Sequence, residues 1–357
     1  MSMKVIFINN YSMDWAWEKW KQKEYPGHHL WGAAHFHENG VDIEIIPHEK
    51  YLILKKISSK IKFLGDLDQQ IRILFRRPHY DIVYSGCQYN TFLLSIMRSM
   101  GLFKKPIVAL IHHPVKSILK NKLIFTVLYG GHDKLVCLSS QVKKQLEDEF
   151  DVPIWKLDLI EWGVDLSFYD IEETHTLGDE PAFIVSAGKT YRDHDTLVKA
   201  FINQNYNLRL YCSEESAPTI SALSPNIKIQ YNHQTNNVIS YTNLLAEYKR
   251  AYAVAIPLNA SSNLAGLTSL LDAMAMGKAV IMTRNRYIDI DIEKEGIGIW
   301  VEEKDVKGWQ QALSYIVEHP SETMEMGKRG RNLCETKYNL EVFSSNLANI
   351  LKGALEK

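Results

Sequence analysis

Cysteine is scarce in this chain: Cys87, Cys137, Cys212 and Cys334 lie far apart in 357 residues, and no Cys-x-x-Cys pair occurs. That spacing supports neither a disulfide framework nor a cysteine-rich zinc site, and a reducing cytosol is the compartment it fits. A charge excess is missing too, because 41 lysines and arginines nearly cancel 42 aspartates and glutamates. No recognised nucleic-acid-binding module accompanies that balance, so nucleic acid is not an expected partner. Apolar runs such as Ile107 to Ile111 are far too short to span a bilayer. Met1-Ser2-Met3-Lys4 leads straight into the strand-like Val5-Ile6-Phe7-Ile8, and neither a signal peptide nor a transmembrane helix is expected. Short repeats, low-complexity tracts and coiled-coil heptads are also lacking.

What remains is a globular, enzyme-like composition, 46% hydrophobic and 23% charged. The length predicts two domains of roughly 150 to 200 residues each. Short β-branched runs alternate with helical patterns from end to end, which argues for parallel sheets with crossover helices. Strands are expected at Lys4–Ile8, Asp42–Ile46, Ile82–Tyr84, Ile107–Ile111, Lys134–Leu138 and Lys156–Ile160. A second set is expected at Ala182–Ala187, Asn207–Cys212, Ile227–Gln230, Ala253–Ile256, Ala279–Thr283 and Gly298–Val301. The polar stretch 171–181 between the sets reads as a linker, giving an α/β protein of two doubly wound, Rossmann-like domains, 1–170 and 182–337, facing each other across a cleft. Ligands in such sheets bind at the carboxyl ends of strands, so the loops after Ile8, Ile111, Ala187 and Ile256 are where chemistry is to be sought.

The run from Gly266 to Ile281 is the most informative: a Gly-Leu-Thr turn, an apolar helix carrying the single acid Asp272, a glycine stop at Gly277 and a strand. Such a turn leaves backbone N–H groups of Gly266, Leu267 and Thr268 unpaired, a ready diphosphate site when joined to the helix dipole. Asp272 lies about two turns inside a helix built for burial, where a carboxylate needs partners. The hydroxyls of a ribose would serve; a structural bond inside the core would serve equally.

Asp133-Lys134-Leu135-Val136-Cys137-Leu138-Ser139-Ser140, then Trp162-Gly163-Val164-Asp165, then Ser186-Ala187-Gly188-Lys189-Thr190-Tyr191-Arg192-Asp193, and finally Gly266 to Val280 follow one another in an order that resembles the retaining glycosyltransferases of family four, with the two-domain GT-B fold. The resemblance covers most of the chain. It implies that Gly188 opens the donor loop and that Lys189 and Arg192 stabilise a departing nucleotide diphosphate, a task two cations after a strand and a glycine suit. It places Asp272 where the family holds the donor ribose. It also implies that the segment 338–357, an amphipathic helix, returns to pack on the first domain.

The chain departs from the family at the first acid of its Glu-x7-Glu motif, which falls on Leu264 or, with a longer turn, on Asn263. That leaves the sugar open. In the first domain Pro26-Gly27-His28-His29-Leu30-Trp31-Gly32 resembles the glycine turn that approaches the donor. Ile111-His112-His113-Pro114 resembles the strand end whose histidine touches the donor sugar, with His113 as the adjacent alternative. The segment before Pro26 reads as a long aromatic loop with Trp15, Trp17, Trp20 and Tyr25. Together with Trp31 these rings suit stacking on an acceptor sugar, and a hydrophobic lid would explain them as well. Asp66-Leu67-Asp68 and Asp289-Ile290-Asp291 spell a metal-binding pattern of a different glycosyltransferase fold, but follow no suitable strand. No metal or other cofactor is expected, the nucleotide-sugar being a substrate.

Between Lys50 and Lys122 fourteen basic residues stand against three acids, a local net of +11. Such a stretch favours an anionic partner, a lipid-linked acceptor or a membrane surface. Lysines and apolar residues interleave from Tyr51 to Phe63, a pattern of an interfacial helix or of an ordinary one with a solvated lysine face. The expected activity is transfer of a sugar from a nucleotide-sugar to an acceptor hydroxyl with retention, in polysaccharide or glycolipid assembly. The expected place is the cytoplasm, with peripheral attachment to the inner face of the cell membrane as a further option. A nucleotide-sugar epimerase of the same fold and a non-catalytic nucleotide-sugar-binding module are the alternatives.

Overall fold

The structure is a computed structural model that describes residues 2–61, 64–76, 79–115, 121–170, 182–220, 224–231, 239–259 and 263–356. The expected linker 171–181 lies outside the described residues, as do Lys62, Arg77, Lys116, Lys120 and the loop positions Asn232, His233 and Gln234. The chain forms two compact units, Met1–Gly163 with Leu340–Lys357, and Val164–Asn339.

Each unit is built on one six-stranded sheet. In the first, β1 (Met3–Ile8), β2 (Val41–Ile45), β3 (Ile82–Ser85), β4 (Ile107–Ile111), β5 (Lys134–Cys137) and β6 (Leu157–Leu159) lie in the order β2-β1-β3-β4-β5-β6. In the second, β7 (Phe183–Ala187), β8 (Asn207–Cys212), β9 (Ile227–Tyr231), β10 (Ala253–Ile256), β11 (Ala279–Thr283) and β12 (Gly298–Val301) lie in the order β12-β11-β10-β7-β8-β9. Every pairing within these sheets is parallel. Each strand begins and ends within one residue of the bounds expected from the sequence. The signal was strong because parallel strands covered by helices on both faces are continuously apolar: all five side chains of β4 are fully buried.

Helices fill the crossovers. In the second unit Leu197 and Phe201 of helix His194–Phe201 and Trp309 and Leu313 of helix Val306–Glu318 pack on Ile184, Leu210, Ala255 and Ile281 of the sheet. In the first, helix Leu340–Gly353 lies against the turn Ala33–His35, with Leu347 beside Gly32.

Strand order reverses between β1 and β3 in the first sheet and between β7 and β10 in the second. At such switch points neighbouring crossovers go to opposite sides and open a crevice at the carboxyl ends. In the second unit that crevice is bounded by the loop Gly188–Asp193 after β7 and, after β10, by the described residues 257–259 and 263–266.

Candidate active site

The two loops of the second unit are zipped together. Asp193 N–H donates to the Pro257 carbonyl at 3.2 Å, Asn259 N–H to the Tyr191 carbonyl at 3.1 Å, and Asn259 Nδ2 to the Arg192 carbonyl at 2.9 Å. Tyr191 takes a left-handed backbone, φ 56°, an uncommon conformation for a residue of its bulk. The bare backbone of Gly188 leaves room for the Arg192 guanidinium, which a Cβ there would displace. The outcome is that Arg192 is laid against the start of helix Leu267–Ala275, where Nη2 donates to Ser269 Oγ at 2.9 Å and Nη1 to the Thr190 carbonyl at 3.1 Å.

No carboxylate pairs with Arg192 among the described residues, its Nε is enclosed without a hydrogen bond, and burial draws the guanidinium below its ordinary value. Enclosing a cation without a counter-ion is unfavourable. The buried Ser186 Oγ and His194 Nε2 likewise have no partner among the described residues. His194, whose Nδ1 lies 2.6 Å from the Ser216 carbonyl, was not singled out in the sequence because nothing in its spacing marks it. Lys189 is exposed and makes no ion pair among the described residues.

Gly266 caps the helix with φ 88°, a left-handed conformation that favours glycine, and a Cβ there would also push on Met282 Cε, 2.6 Å away. The expected trio of N–H groups is modified: Leu267 N–H donates to the Leu264 carbonyl at 3.1 Å. Those of Gly266, Thr268 and Ser269 make no hydrogen bond among the described residues. Asn263 shapes the loop, its Oδ1 accepting from Ala265 N–H at 2.8 Å while its carbonyl accepts from Asn285 Nδ2 at 3.0 Å.

Asp272 is 5% exposed, and its Oδ1 accepts the hydroxyls of Tyr169 at 2.5 Å and Tyr241 at 2.6 Å. Burial pushes its carboxyl up to about 6, against the pull of those two hydroxyls. Neither tyrosine was legible as a partner, since they lie 103 and 31 residues away.

The first unit gathers aromatic rings at the carboxyl end of its sheet. His112 follows β4 directly, and Gly27 and His28 are buried in the 3-10 turn Gly27–Leu30. The Trp31 ring stacks on His112 at 5.2 Å and on Trp162 at 5.1 Å, while His113 lies 4.3 Å from His112. Burial draws His112 down to about 3. The aromatic segment before Pro26 is a correction: Met13–Lys21 is a helix, capped by Ser12, whose Oγ accepts from Trp15 N–H at 3.4 Å. Met13 and Ala16 anchor its buried side. Trp15 is 54% exposed and Trp17 partly so, but Trp31 is 9% exposed and lies inside the unit.

The acidic pairs serve locally. Asp66 caps helix Leu67–Leu74, Asp68 pairs with Arg72 at 2.7 Å, and Asp291 accepts from Trp300 Nε1 at 3.0 Å. Among the described residues no group of three or more histidine, cysteine, aspartate or glutamate side chains is placed to hold a metal ion.

Two surface helices of the first unit bear on the basic stretch. Helix Leu52–Lys60 leaves Leu52 and Ile53 74% and 75% exposed beside Lys56 and Lys60, which make no ion pair among the described residues. Helix Lys122–Tyr129 exposes Leu123 at 72%, with Ile124 and Val127 on the same side. No helix among the described residues is long and apolar enough to cross a membrane.

Because the Asp272 carboxyl is raised, ionising it costs the folded chain stability as pH climbs from its ordinary 3.8 to about 6. The loss is complete above that and amounts to about 3 kcal/mol. Asp272→Asn is therefore expected to gain on the wild type by that order between pH 4 and 7, read from thermal unfolding at each pH. Parallel pH curves would show that burial of this charge is not a stability term.

A glycosyltransferase Family 4 model matches residues 27–168, and a "Glycosyl transferases group 1" model matches residues 169–333. No curated protein sequence matches significantly. Among solved structures, a glycosyltransferase from Rickettsia africae is similar with a TM-score of 0.72 at 15% identity, covering 100% of this chain and 99% of that one. HepE from Anabaena, in complex with UDP and glucose, gives 0.70 at 11% identity over 98% and 100%. Sucrose-phosphate synthase from Thermosynechococcus elongatus gives 0.68 at 15% over 100% of both chains. At such identities the structural likeness speaks for the fold, and the family rests on the two matched domains. Twin parallel sheets, a glycine-capped helix at the second switch point and both family matches agree that the chain belongs to the glycosyltransferases of the GT-B fold.

Proposed function

We propose that the protein moves a sugar from a nucleotide-sugar donor to an acceptor hydroxyl with retention at the anomeric carbon. The observation that carries the donor assignment is Arg192, a cation tucked against a helix start with no carboxylate beside it among the described residues. A nucleotide diphosphate supplies the missing charge. Its oxygens meet the Arg192 guanidinium, the exposed ammonium of Lys189 and the N–H groups of Gly266 and Thr268, with Gly188 giving the backbone room. These groups act on charge that grows as the sugar–phosphate bond breaks, so they stabilise the transition state more than the bound donor. No metal is assigned a role. Asp272 keeps its second carboxylate oxygen for the donor ribose, and Asn263 holds the turn in shape.

On the first unit, Gly27 and His28 form the turn that meets the donor, and His112 contacts the transferred sugar. His113, Trp15 and Trp17 belong to the acceptor side, Trp31 acting from beneath. Retention follows from the acceptor hydroxyl attacking on the face the diphosphate leaves, with the departing oxygens taking its proton. Exposed Leu52, Ile53 and Ile57 on the helix of Lys56 and Lys60 favour an acceptor carried by a lipid, in polysaccharide or glycolipid assembly. The enzyme would then work in the cytoplasm, peripherally attached to the inner face of the cell membrane.

The test is turnover of a panel of UDP-, GDP-, ADP- and CMP-sugars followed by proton NMR. One donor is expected to be consumed with its anomeric configuration kept, and Arg192→Ala to lower kcat roughly 100- to 1,000-fold. Conversion of donor to an epimer without acceptor would mean the isomerase reading; binding without turnover would mean a binding module. For the membrane, Lys55, Lys56 and Lys60 changed together to glutamine should release the protein from phosphatidylglycerol vesicles. Unchanged sedimentation would remove the bilayer from the reading.

A further inference from the structure

Trp31 occupies a left-handed backbone conformation, φ 52°, which a bulky side chain adopts only where its surroundings impose it. The surroundings here are specific. The Trp31 carbonyl accepts the Tyr84 hydroxyl at 2.8 Å, its Nε1 donates to the Tyr11 hydroxyl at 2.8 Å, and Tyr11 in turn donates to the His29 carbonyl at 2.5 Å. Its N–H closes the preceding turn on the His28 carbonyl at 3.1 Å. All this fixes one flat ring stacked with two others, Trp162 at 17° and His112 at 18° to its plane.

His112 lacks the usual means of orientation. A functional imidazole is ordinarily held by a hydrogen bond from its far nitrogen to a carboxylate or carbonyl. Here no hydrogen bond to either ring nitrogen is made among the described residues, and Nδ1 is buried. The stack is what remains to hold the ring.

We propose that Trp31 is a positioning residue: clamped by Tyr11, Tyr84 and Trp162, its ring takes over the task of a hydrogen-bonding partner and fixes the His112 imidazole in one orientation for the substrate. Strain at residue 31 then has a use, since relaxing φ would swing the ring out of the stack. The clamp also excludes water, keeping His112 an uncharged imidazole; His113 is the titratable group acting on it among the described residues. That His112 meets the donor sugar is the reading given above, and the orientation of the ring can be tested apart from it.

Histidine NMR of the full chain, with His112→Gln to assign the signal, reads the ring directly. In the wild type the His112 signal should not titrate between pH 5 and 8. In Trp31→Ala it should titrate near the ordinary value of 6.5, and Trp31→Phe, which keeps a flat ring in place, should restore the wild-type trace. Should Trp31→Ala not fold, Tyr11→Phe removes the clamp on Nε1 while keeping every ring, and should broaden or double the His112 signal. An unchanged His112 signal in the folded Trp31→Ala or in Tyr11→Phe overturns the proposal. With the donor found by the turnover panel, Trp31→Ala should lose up to about 100-fold in kcat with an added acid limb in the pH profile. If the NMR changes appear while His112→Gln keeps full turnover, Trp31 positions the ring and it is the donor role of His112 that fails.

Discussion

The second unit is organised around a positive charge left without a partner. Arg192 lies against the start of helix Leu267–Ala275, donating to Ser269 and meeting no carboxylate among the described residues. Keeping it there constrains much else: Gly188 must leave the guanidinium room, the loops after β7 and β10 must be laced together, and Tyr191 must take a left-handed backbone. A protein that needed only stability would pair or remove such a cation. One that must grip an anion transiently gains from leaving it open, because the full electrostatic effect is then kept for the ligand.

Asp272, two turns along the same helix, shows the opposite solution. Its charge is deeply buried, and two tyrosine hydroxyls are brought to it. They hold its carboxyl near 6 instead of letting burial raise it further. The same helix thus holds a hydrogen-bonded carboxyl in its body and receives, at its start, a cation with no carboxylate beside it among the described residues.

The sheets were legible almost residue by residue, because parallel strands buried on both faces leave unbroken β-branched runs with glycine or polar punctuation between them. The glycine turn at Gly266 and the cations of the 188–193 loop were legible for the same local reason. What was not legible depended on contacts far apart in the chain. The tyrosine partners of Asp272 and the stacking of Trp31 on His112 and Trp162 are products of tertiary packing. Helix Met13–Lys21 was read as a loop because its tryptophans at 15, 17 and 20 do not share one helical face; a serine cap and the burial of Met13 and Ala16 decide it instead. The exposed side of helix Lys122–Tyr129 was not legible either, because apolar composition alone does not say which side stays uncovered.

The most direct measurement is thermal unfolding of the purified full chain with UDP, GDP, ADP and CMP, beside Arg192→Ala. A nucleotide held by the native state raises its apparent stability, by about 2.7 kcal/mol at a hundred times Kd. One nucleotide diphosphate should raise Tm by several degrees in the wild type and leave the variant where it was. No rise with any nucleotide in a well-folded wild type, or an equal rise in the variant, would contradict the assignment of Arg192 as the anchor of the donor.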